Sequence, residues 1–464
     1  MDKRSFRVIV VGGSIAGLTL AHSLDLAGID YIVLEKHLDP LATVGGSVGL
    51  LPNGWRILHQ LGLRHQLDEV ACPVKVAHMT YPDGFIFTNG YRFGYPLSIL
   101  TRQKLIEVLY RGLHDKSKVK VGQKVIKIQL HHDGRGVSVF TESGQEHIGD
   151  VVAGADGVHS TTRSQMWLQS GQKLDTEKEK CRRWNRPPHG VLLLIPRPEP
   201  VLVAEYGCVF GISSPLEGLL PGEQLIACHD DASVLAFPGK NAHIGWGLIQ
   251  KLDRGCNYPA TAHSSHDETA LNIAKSAANL SLYQGIKFHD LWINTPRYSF
   301  TVLEEGLFQT WHHGRILTPN IAQGANTAIE GAAALANTLR RISQIDEPSK
   351  DDISLLLQGY AEQQQKRLRT VHALSQSVTR VHTRQGRIRK IIGRYVYPYT
   401  PSAALHSFGR IIAPAPCLDY VPVPLPGPWW TQSFVIRRPG LERVLLLIVL
   451  VFAVVYGYYS AKKG

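Results

Sequence analysis

The sequence predicts an α/β protein in which a doubly wound sheet domain is combined with an antiparallel-sheet domain and a C-terminal transmembrane helix. Three observations support this prediction: residues 7–35 have the pattern strand, glycine turn, helix and strand, apolar and polar residues alternate over 201–253, and residues 444–461 carry no charge. The 464 residues suffice for two domains, each with its own core. A hydrophobic content of 44% with 19% charged residues is typical of a globular chain.

The N-terminal segment has the order of the opening unit of a doubly wound sheet: the strand RVIVV, a glycine turn, a helical pattern and the buried strand YIVLE. Gly12, Ser14 and Gly17 occupy the three glycine positions of the dinucleotide fingerprint. Gly12 permits a tight turn, Gly17 allows the helix to pack closely on the strand, and the helix N-terminus attracts a pyrophosphate. Glu35 ends the second strand, where a carboxylate hydrogen-bonds an adenosine ribose. The unit predicts a dinucleotide site but does not separate FAD from NAD.

Two later motifs favour FAD over NAD. GADGVHSTTR begins at the end of the apolar strand DVVAGAD and shares its last three residues, and GANTAIEG begins a long Ala-rich helix predicted over 321–342. A simple NAD dehydrogenase needs neither motif. Asp156 in the first motif either accepts hydrogen bonds that organise the cofactor loops or caps the helix that follows it.

The remaining elements complete a Rossmann-like FAD-binding domain that is interrupted by the sheet domain. A helix is predicted from about 102 to 114 and β-rich sequence from 119 to 150. The predicted layout is a first part of the FAD-binding domain at 1–180, a substrate-binding sheet domain at 181–300, a second part with further helices at 301–395, and a Pro- and aromatic-rich linker or membrane-surface segment at 396–435.

Taken together, GGSIAGLTLAHSL, the strand-ending Glu, GGSVGLLPNG, the Arg of LTRQKL, GADGVHS and QGANTAIEGAAALAN resemble the FAD-dependent monooxygenases of the paxilline epoxidase type. These enzymes act in fungal indole-diterpene and meroterpenoid biosynthesis and resemble para-hydroxybenzoate hydroxylase in fold. The similarity extends over residues 6–394. By this resemblance an active-site tyrosine is matched by Tyr206, and positions that bind FAD are matched by Glu35, Gly49, Arg102 and Ala325.

Each of these positions also has an ordinary structural interpretation. Arg102, at a helix start, supplies a fixed cation to pyrophosphate or ribose oxygens, or is a surface arginine. Gly49 and Ala325 lack bulk, so that backbone can lie against the cofactor, whereas the alternative for Gly49 is a simple turn glycine. Tyr206 offers a phenol that orients a substrate, or packs within the sheet.

The resemblance implies FAD as the bound cofactor, NADPH as the reductant, and transfer of one oxygen atom of O2 to an alkene of a prenylated small molecule. Aromatic hydroxylation with the same flavin is the alternative reaction. One departure stands out: family members carry the phrase Gly-Asp-x-x-His before the Ala-rich helix, whereas here Leu317 is followed directly by Thr318 and Pro319. Because the missing carboxylate would hold a ribityl hydroxyl, a shortened version of an active enzyme and a catalytically impaired homologue both stay open.

The charge and the cysteines indicate neither a nucleic-acid partner nor a metal. The net charge is +12, but Lys and Arg are spread along the chain without an aromatic-interleaved binding module. The basic stretch at 366–394 is interpreted as a solvated helix face or as a face toward anionic lipid. The six cysteines are widely spaced, with no CxxC pair and no His/Cys cluster.

The apolar run VLLLIVLVFAVVYGYYSA at 444–461 predicts a transmembrane helix about 27 Å long. Basic residues flank both of its ends, and tyrosines at one border resemble an interfacial belt. The N-terminal apolar run is too short for a signal peptide. The sequence therefore predicts a single-pass protein of the endoplasmic reticulum membrane with its catalytic domain in the cytosol, and a buried core helix is the alternative.

Overall fold

The structure is a computed structural model that describes residues 6–41, 46–90, 95–131, 136–157, 159–170, 203–257, 266–305, 311–313, 316–317, 324–399, 409 and 412–424. Its α-helices are α1 (Ile15–Leu26), α2 (Pro52–Gln60), α3 (Arg64–Val70), α4 (Arg102–Arg111), α5 (Thr161–Gln169), α6 (His266–Ala277), α7 (Phe288–Ile293), α8 (Gly324–Ser343), α9 (Lys350–His382) and α10 (Gly386–Ile391). Its strands are β1 (Arg7–Val11), β2 (Asp30–Leu34), β3 (Ser47–Leu50), β4 (Cys72–Pro73), β5 (Val76–Thr80), β6 (Ile86–Gly90), β7 (Ser98–Thr101), β8 (Val119–Lys120), β9 (Val125–Leu130), β10 (Val137–Thr141), β11 (Glu146–Gly149), β12 (Val151–Gly154), β13 (Val203–Ser213), β14 (Glu223–His229), β15 (Ala232–Pro238), β16 (Ile244–Asn257), β17 (Ser281–Tyr283), β18 (Ile286–Lys287), β19 (Tyr298–Glu305), β20 (His312–His313) and β21 (Ile316–Leu317).

A six-stranded sheet forms the centre of the first domain, in the order β20-β21-β12-β1-β2-β8. β1 pairs in parallel with β12 on one side and with β2 on the other. β1 and β12 are almost entirely buried, and this explains why their sequences are continuously apolar. Helix α1 packs on α8 within the same core. The N-terminal strand, turn, helix and strand predicted from the sequence are confirmed as β1, α1 and β2.

A seven-stranded sheet forms the second domain, in the order β19-β13-β16-β15-β14-β5-β6. The pairs from β19 to β14 are antiparallel, as the alternating sequence over 201–253 predicts. β5 and β6 come from within residues 1–180, so this segment contributes to both sheets. A small third sheet, β3-β7-β4, lies between the two. It carries the predicted FAD residue Gly49 on β3.

The 33-residue helix α9 connects the two domains. In the first half of α9 the helix packs on α8, where Tyr360 donates a hydrogen bond to the Gly331 carbonyl at 3.1 Å. Toward its C-terminal end, Arg380 pairs with Glu205 of the second sheet at 2.9 Å. Several basic residues of the stretch at 366–394 therefore have carboxylate partners within the chain, namely Arg367, Arg380, Arg384, Lys390 and Arg394.

Part of the segment interpreted from the sequence as a linker is packed against the first domain. The side-chain amide of Gln60 on α2 donates to the Leu418 carbonyl at 2.9 Å and accepts from the Leu418 N–H at 3.0 Å. Asn337 on α8 donates to the Cys417 carbonyl at 2.8 Å and accepts from the Asp419 N–H at 3.2 Å. Two side-chain amides thus satisfy the backbone groups of a segment that forms no regular element.

The prediction of a single-pass membrane protein requires correction. In the part of the chain that the structure describes, no helix is both long and apolar enough to cross a bilayer. Helices α8 and α9 have the length, with 20 and 33 residues, but both carry several charged side chains. The apolar run at 444–461, on which the prediction rested, lies outside the described residues.

Candidate functional site

The fingerprint turn between β1 and α1 requires glycine at two positions. Gly12 has φ +107°, and a Cβ there would lie 2.5 Å from the Ala155 carbonyl oxygen. A Cβ at Gly17 would lie 1.9 Å from the Gly12 carbonyl oxygen. Both distances are too short for a side chain, so the close contact of turn, helix and neighbouring strand depends on these glycines. The turn therefore has the backbone shape that the fingerprint predicts.

Glu35 and Arg102 flank this turn. The carboxylate of Glu35 is 8% exposed, and its Oε2 accepts a hydrogen bond from the Gly13 N–H at 2.7 Å. Arg102, at the start of α4, donates from Nη2 to the Ser14 hydroxyl at 2.6 Å. Burial lowers the pKa of the Arg102 guanidinium, and the nearby Glu35 carboxylate opposes this shift. An acceptor and a cation thus stand at the N-terminus of α1, where they fit the ribose and pyrophosphate of a dinucleotide.

Asp156 lies beside the same turn, because a Cβ at Gly12 would be 3.1 Å from the Asp156 backbone nitrogen. Its Oδ1 accepts from the Ser160 hydroxyl at 2.6 Å, and its Oδ2 accepts from the Thr162 N–H at 3.0 Å. These bonds organise the start of α5, as the capping interpretation expects. A direct contact between Asp156 and the cofactor stays a prediction.

Gly49 and Ala325 are brought together by Asn326, a residue that the sequence interpretation did not single out. The Asn326 amide donates to the Gly49 carbonyl at 2.7 Å and accepts from the Leu51 N–H at 2.9 Å. A Cβ at Gly49 would make only an ordinary contact, 3.5 Å from Ile99 Cδ1. Packing within the chain therefore does not require glycine at position 49, and close approach of the cofactor to Gly49 stays a prediction.

A second group on α8 was also missed from the sequence. Glu330, 1% exposed, receives two hydrogen bonds of 2.9 Å from the Arg367 guanidinium and one from the Asn53 side-chain amide. Asn326 and Glu330 are four residues apart in GANTAIEG and so lie on one face of the helix. The four-residue spacing of two polar residues in a helix that is otherwise rich in Ala was the signal in the sequence. It does not reveal which residues they contact.

Tyr206 on β13 lies at the end of α9. Its side chain is fully buried, and its hydroxyl is 3.3 Å from the Thr383 hydroxyl. The Arg380 guanidinium carbon is 5.9 Å from the centre of its ring. The side chain of Tyr206 therefore contacts residues at the end of α9. The other predicted site residues lie around the fingerprint turn or beside Asn326.

The face of the second sheet that is turned toward β3 is called here the inner face, and its residues are Cys208, Phe210, Leu235, Phe237, Gly245 and Gly247. Apart from the buried Gly245 these residues are half-buried, whereas the opposite face packs on α6 and α7. A Cβ at Gly247 would meet only Cys208 Sγ, at 3.7 Å, among the described residues. Burial raises the pKa of the Cys208 thiol to about 12, so the thiol stays neutral.

β3 begins directly on the inner face. A Cβ at Gly46 would stand 2.8 Å from the Phe210 ring, and a Cβ at Gly245 would stand 1.9 Å from the Ser47 hydroxyl. The strand that carries Gly49 is therefore in contact with an apolar surface of the second domain. Among the residues that the structure describes, no three His, Cys, Asp or Glu side chains are grouped as metal ligands.

These features define a dinucleotide-binding flavoprotein fold, and comparisons with known proteins agree. The FAD binding domain family matches residues 5–204. The FAD-dependent monooxygenase sdgC of Emericella nidulans is 72% identical over 488 residues, which cover 100% of this chain and 99% of that protein. The FAD-dependent monooxygenase paxM of Penicillium paxilli is 38% identical over 442 residues, covering 91% of this chain and 89% of paxM.

HpxO of Klebsiella pneumoniae, in complex with FAD and uric acid, shares the fold with a TM-score of 0.68 at 17% identity, over 89% of this chain and 97% of HpxO. The chain belongs to the FAD-dependent monooxygenases of fungal secondary metabolism, as the sequence resemblance predicts. Its cofactor is FAD.

The alignment with sdgC also bears on the missing Gly-Asp-x-x-His phrase. It extends over 488 positions against the 464 residues of this chain, a difference of 24, so the relative has segments that this chain lacks. The place where the phrase is expected, around residue 318, lies outside the described residues. The contacts around Gly12, Glu35 and Arg102 fit the adenosine half of FAD without it.

Proposed function

We propose that this monooxygenase uses NADPH and O2 to transfer one oxygen atom to an alkene of a prenyl chain, in a meroterpenoid or indole-diterpene intermediate. The observation that carries the proposal is the inner face, an apolar and half-buried surface in contact with β3. A prenyl chain is held mainly by burial of apolar area, which contributes about 25 cal/mol per Å². The resemblance to the paxilline epoxidase type points to the same substrate class.

In this proposal each predicted site residue binds or orients, while bound FAD, reduced by NADPH, supplies the activation of oxygen. The Gly12 turn, Glu35 and Arg102 hold the adenosine ribose and the pyrophosphate. Gly49 and Ala325 let backbone lie against the cofactor. Gly17 and Asp156 keep α1 and the neighbouring loop in place, and the inner face excludes water from the substrate.

Tyr206 is proposed to orient the substrate indirectly: its buried hydroxyl contacts Thr383 at the end of α9 and so holds β13, which carries part of the inner face, in place. Because side chains alternate between the two faces of a strand, Tyr206 lies on the same face of β13 as Cys208 and Phe210. Tyr206→Phe keeps the ring and removes the hydroxyl. We expect kcat/KM for the prenylated substrate to fall while FAD affinity is unchanged. Unchanged kcat/KM would mean that Tyr206 serves packing alone.

The reaction is tested by product analysis with ¹⁸O2, NADPH, FAD and a prenylated aromatic substrate. An epoxide with one ¹⁸O atom in the prenyl chain supports the proposal. A label on the aromatic ring would instead identify an aromatic hydroxylase. Absence of labelled product from protein that binds FAD would identify a catalytically impaired homologue.

The role of the inner face is tested by filling its open position. Gly247→Val adds an isopropyl group where, among the described residues, only Cys208 lies within 4 Å of the new Cβ, so we expect KM for a bulky prenylated substrate to rise and FAD affinity to stay unchanged. Gly90→Val, at the edge strand β6 of the same sheet, is the matched control because Gly90 is exposed. Equal KM values for both variants would exclude the inner face as the substrate surface.

A further inference from the structure

The Asn326 side chain joins the first turn of α8 to β3 by hydrogen bonds in both directions. Its amide nitrogen donates to the Gly49 carbonyl at 2.7 Å, and its oxygen accepts from the Leu51 N–H at 2.9 Å. Asn326 is 277 residues away from Gly49 and 275 residues away from Leu51 in the sequence. A planar amide that both donates and accepts fixes the distance between α8 and β3, and it also fixes the position of α8 along the strand.

Neighbouring residues hold this amide in one orientation. A Cβ at Gly54 of α2 would lie 2.5 Å from Asn326 Oδ1, so α2 leaves no room for the amide to move in that direction. One turn further along α8, the buried Glu330 carboxylate bonds to Asn53 of α2 and Arg367 of α9. Helix α8 is therefore anchored to α2 and α9 beside the point where it holds β3.

From these contacts we infer that Asn326 is a positioning residue of the FAD site, which sets how β3 and the start of α8 face each other across the cofactor. The inference rests on the proposed assignment of Gly49 and Ala325 to FAD. These residues stand on either side of the Asn326 contact, Gly49 as its hydrogen-bond partner and Ala325 as its chain neighbour. Without the amide, β3 and α8 lose the hydrogen bonds that define their spacing. FAD binding must then order the two segments, which lowers the affinity for FAD.

The test is FAD binding to the full chain by fluorescence titration, together with the visible absorbance spectrum of the bound flavin. Asn326→Ala removes both hydrogen bonds, so we expect FAD binding to weaken by up to about thirtyfold and the flavin spectrum to change. The matched control is Asn337→Ala, on the same helix. Asn337 makes the same two-way contact, but with Cys417 and Asp419, away from β3. FAD affinity equal to the parent's is expected for this control.

A second variant keeps Asn326 itself. Gly54→Ala favours helix formation in α2 but pushes against Asn326 Oδ1, so it should also weaken FAD binding. Hydrogen exchange of the Leu51 amide gives a readout that needs no FAD, and it should speed up about tenfold in Asn326→Ala. Unchanged exchange at Leu51, or equal FAD affinities for the Asn326→Ala and Asn337→Ala variants, would overturn the inference.

The proposed FAD site itself is tested separately in the same titration. If Glu35→Ala weakens FAD binding and Asn326→Ala does not, the site stands and only the positioning role is wrong. If Glu35→Ala has no effect, the assignment of the site is wrong, and the inference about Asn326 is rejected with it.

Discussion

Replacement of Arg367 by Met is expected to destabilise the protein strongly, because it leaves a buried carboxylate without its cation. Glu330 is 1% exposed and Arg367 10% exposed in their side chains, and two hydrogen bonds of 2.9 Å join them. After Arg367→Met the carboxylate keeps, among the described residues, only its bond from Asn53. Breaking a buried pair by removing one partner costs about 3–5 kcal/mol, so we expect a loss of that size in the free energy of unfolding.

The assay is urea denaturation of the FAD-loaded protein, performed as a double-mutant cycle. Glu330→Gln in the Arg367→Met background removes the stranded charge and keeps an acceptor for Asn53, so it should restore a large part of the loss. Lys104→Met is the control, because its pair with Glu107 is on the surface and is worth less than about 1 kcal/mol. A loss below about 1 kcal/mol for Arg367→Met, or no recovery in the double variant, would refute the reasoning.

Two further predictions concern the first domain. Gly12→Ala should lower the free energy of unfolding by about 1–3 kcal/mol and abolish FAD binding, because the added methyl group meets the Ala155 carbonyl at a residue with positive φ. The control is Gly28→Ala, where φ is +67° and no atom of the described residues lies within 4 Å of the added Cβ. In the same denaturation and titration assays this control should show only the smaller cost of the strained φ. Burial lowers the pKa of His22 below 6.5, against its hydrogen bond to the Leu109 carbonyl. The unfolded state then binds the proton more tightly, so this contribution to stability is present above about pH 6.5 and is lost as the pH falls through the folded-state pKa. His22→Gln should reduce the drop in unfolding free energy between about pH 7.5 and pH 5.5, and an unchanged drop would contradict the assignment.

The part of the fold set by local pattern could be predicted from the sequence. The strand RVIVV coincides with β1, and the Ala-rich helix predicted over 321–342 is α8, Gly324–Ser343. Both elements are specified by signals within one segment: a continuous apolar run for a strand buried on both faces, and a long run of strong helix formers. Glycine spacing likewise predicted the fingerprint turn, because its backbone shape excludes other residues at Gly12.

Contacts between distant segments could not be predicted in this way. Asn326 and Glu330 look like ordinary polar residues of a helix until β3, α2 and α9 are placed around them. The segment near Leu418 reads as a linker because it is rich in Pro, yet the side-chain amides of Gln60 and Asn337 bind its backbone. In each case the two partners lie far apart in sequence, so the local sequence pattern does not predict the contact.

We propose above all that the Gly12 turn and Glu35 bind the adenosine half of FAD. The most direct test of this proposal is the titration of flavin-free protein with FAD and with FMN, which lacks the adenosine half, for the parent and for Glu35→Ala. A carboxylate hydrogen bond contributes about 1.5–3 kcal/mol, so Glu35→Ala should weaken FAD binding at least about tenfold and leave FMN binding unchanged. Equal FAD affinities for the parent and Glu35→Ala, or equal affinities of the parent for FAD and FMN, would contradict it.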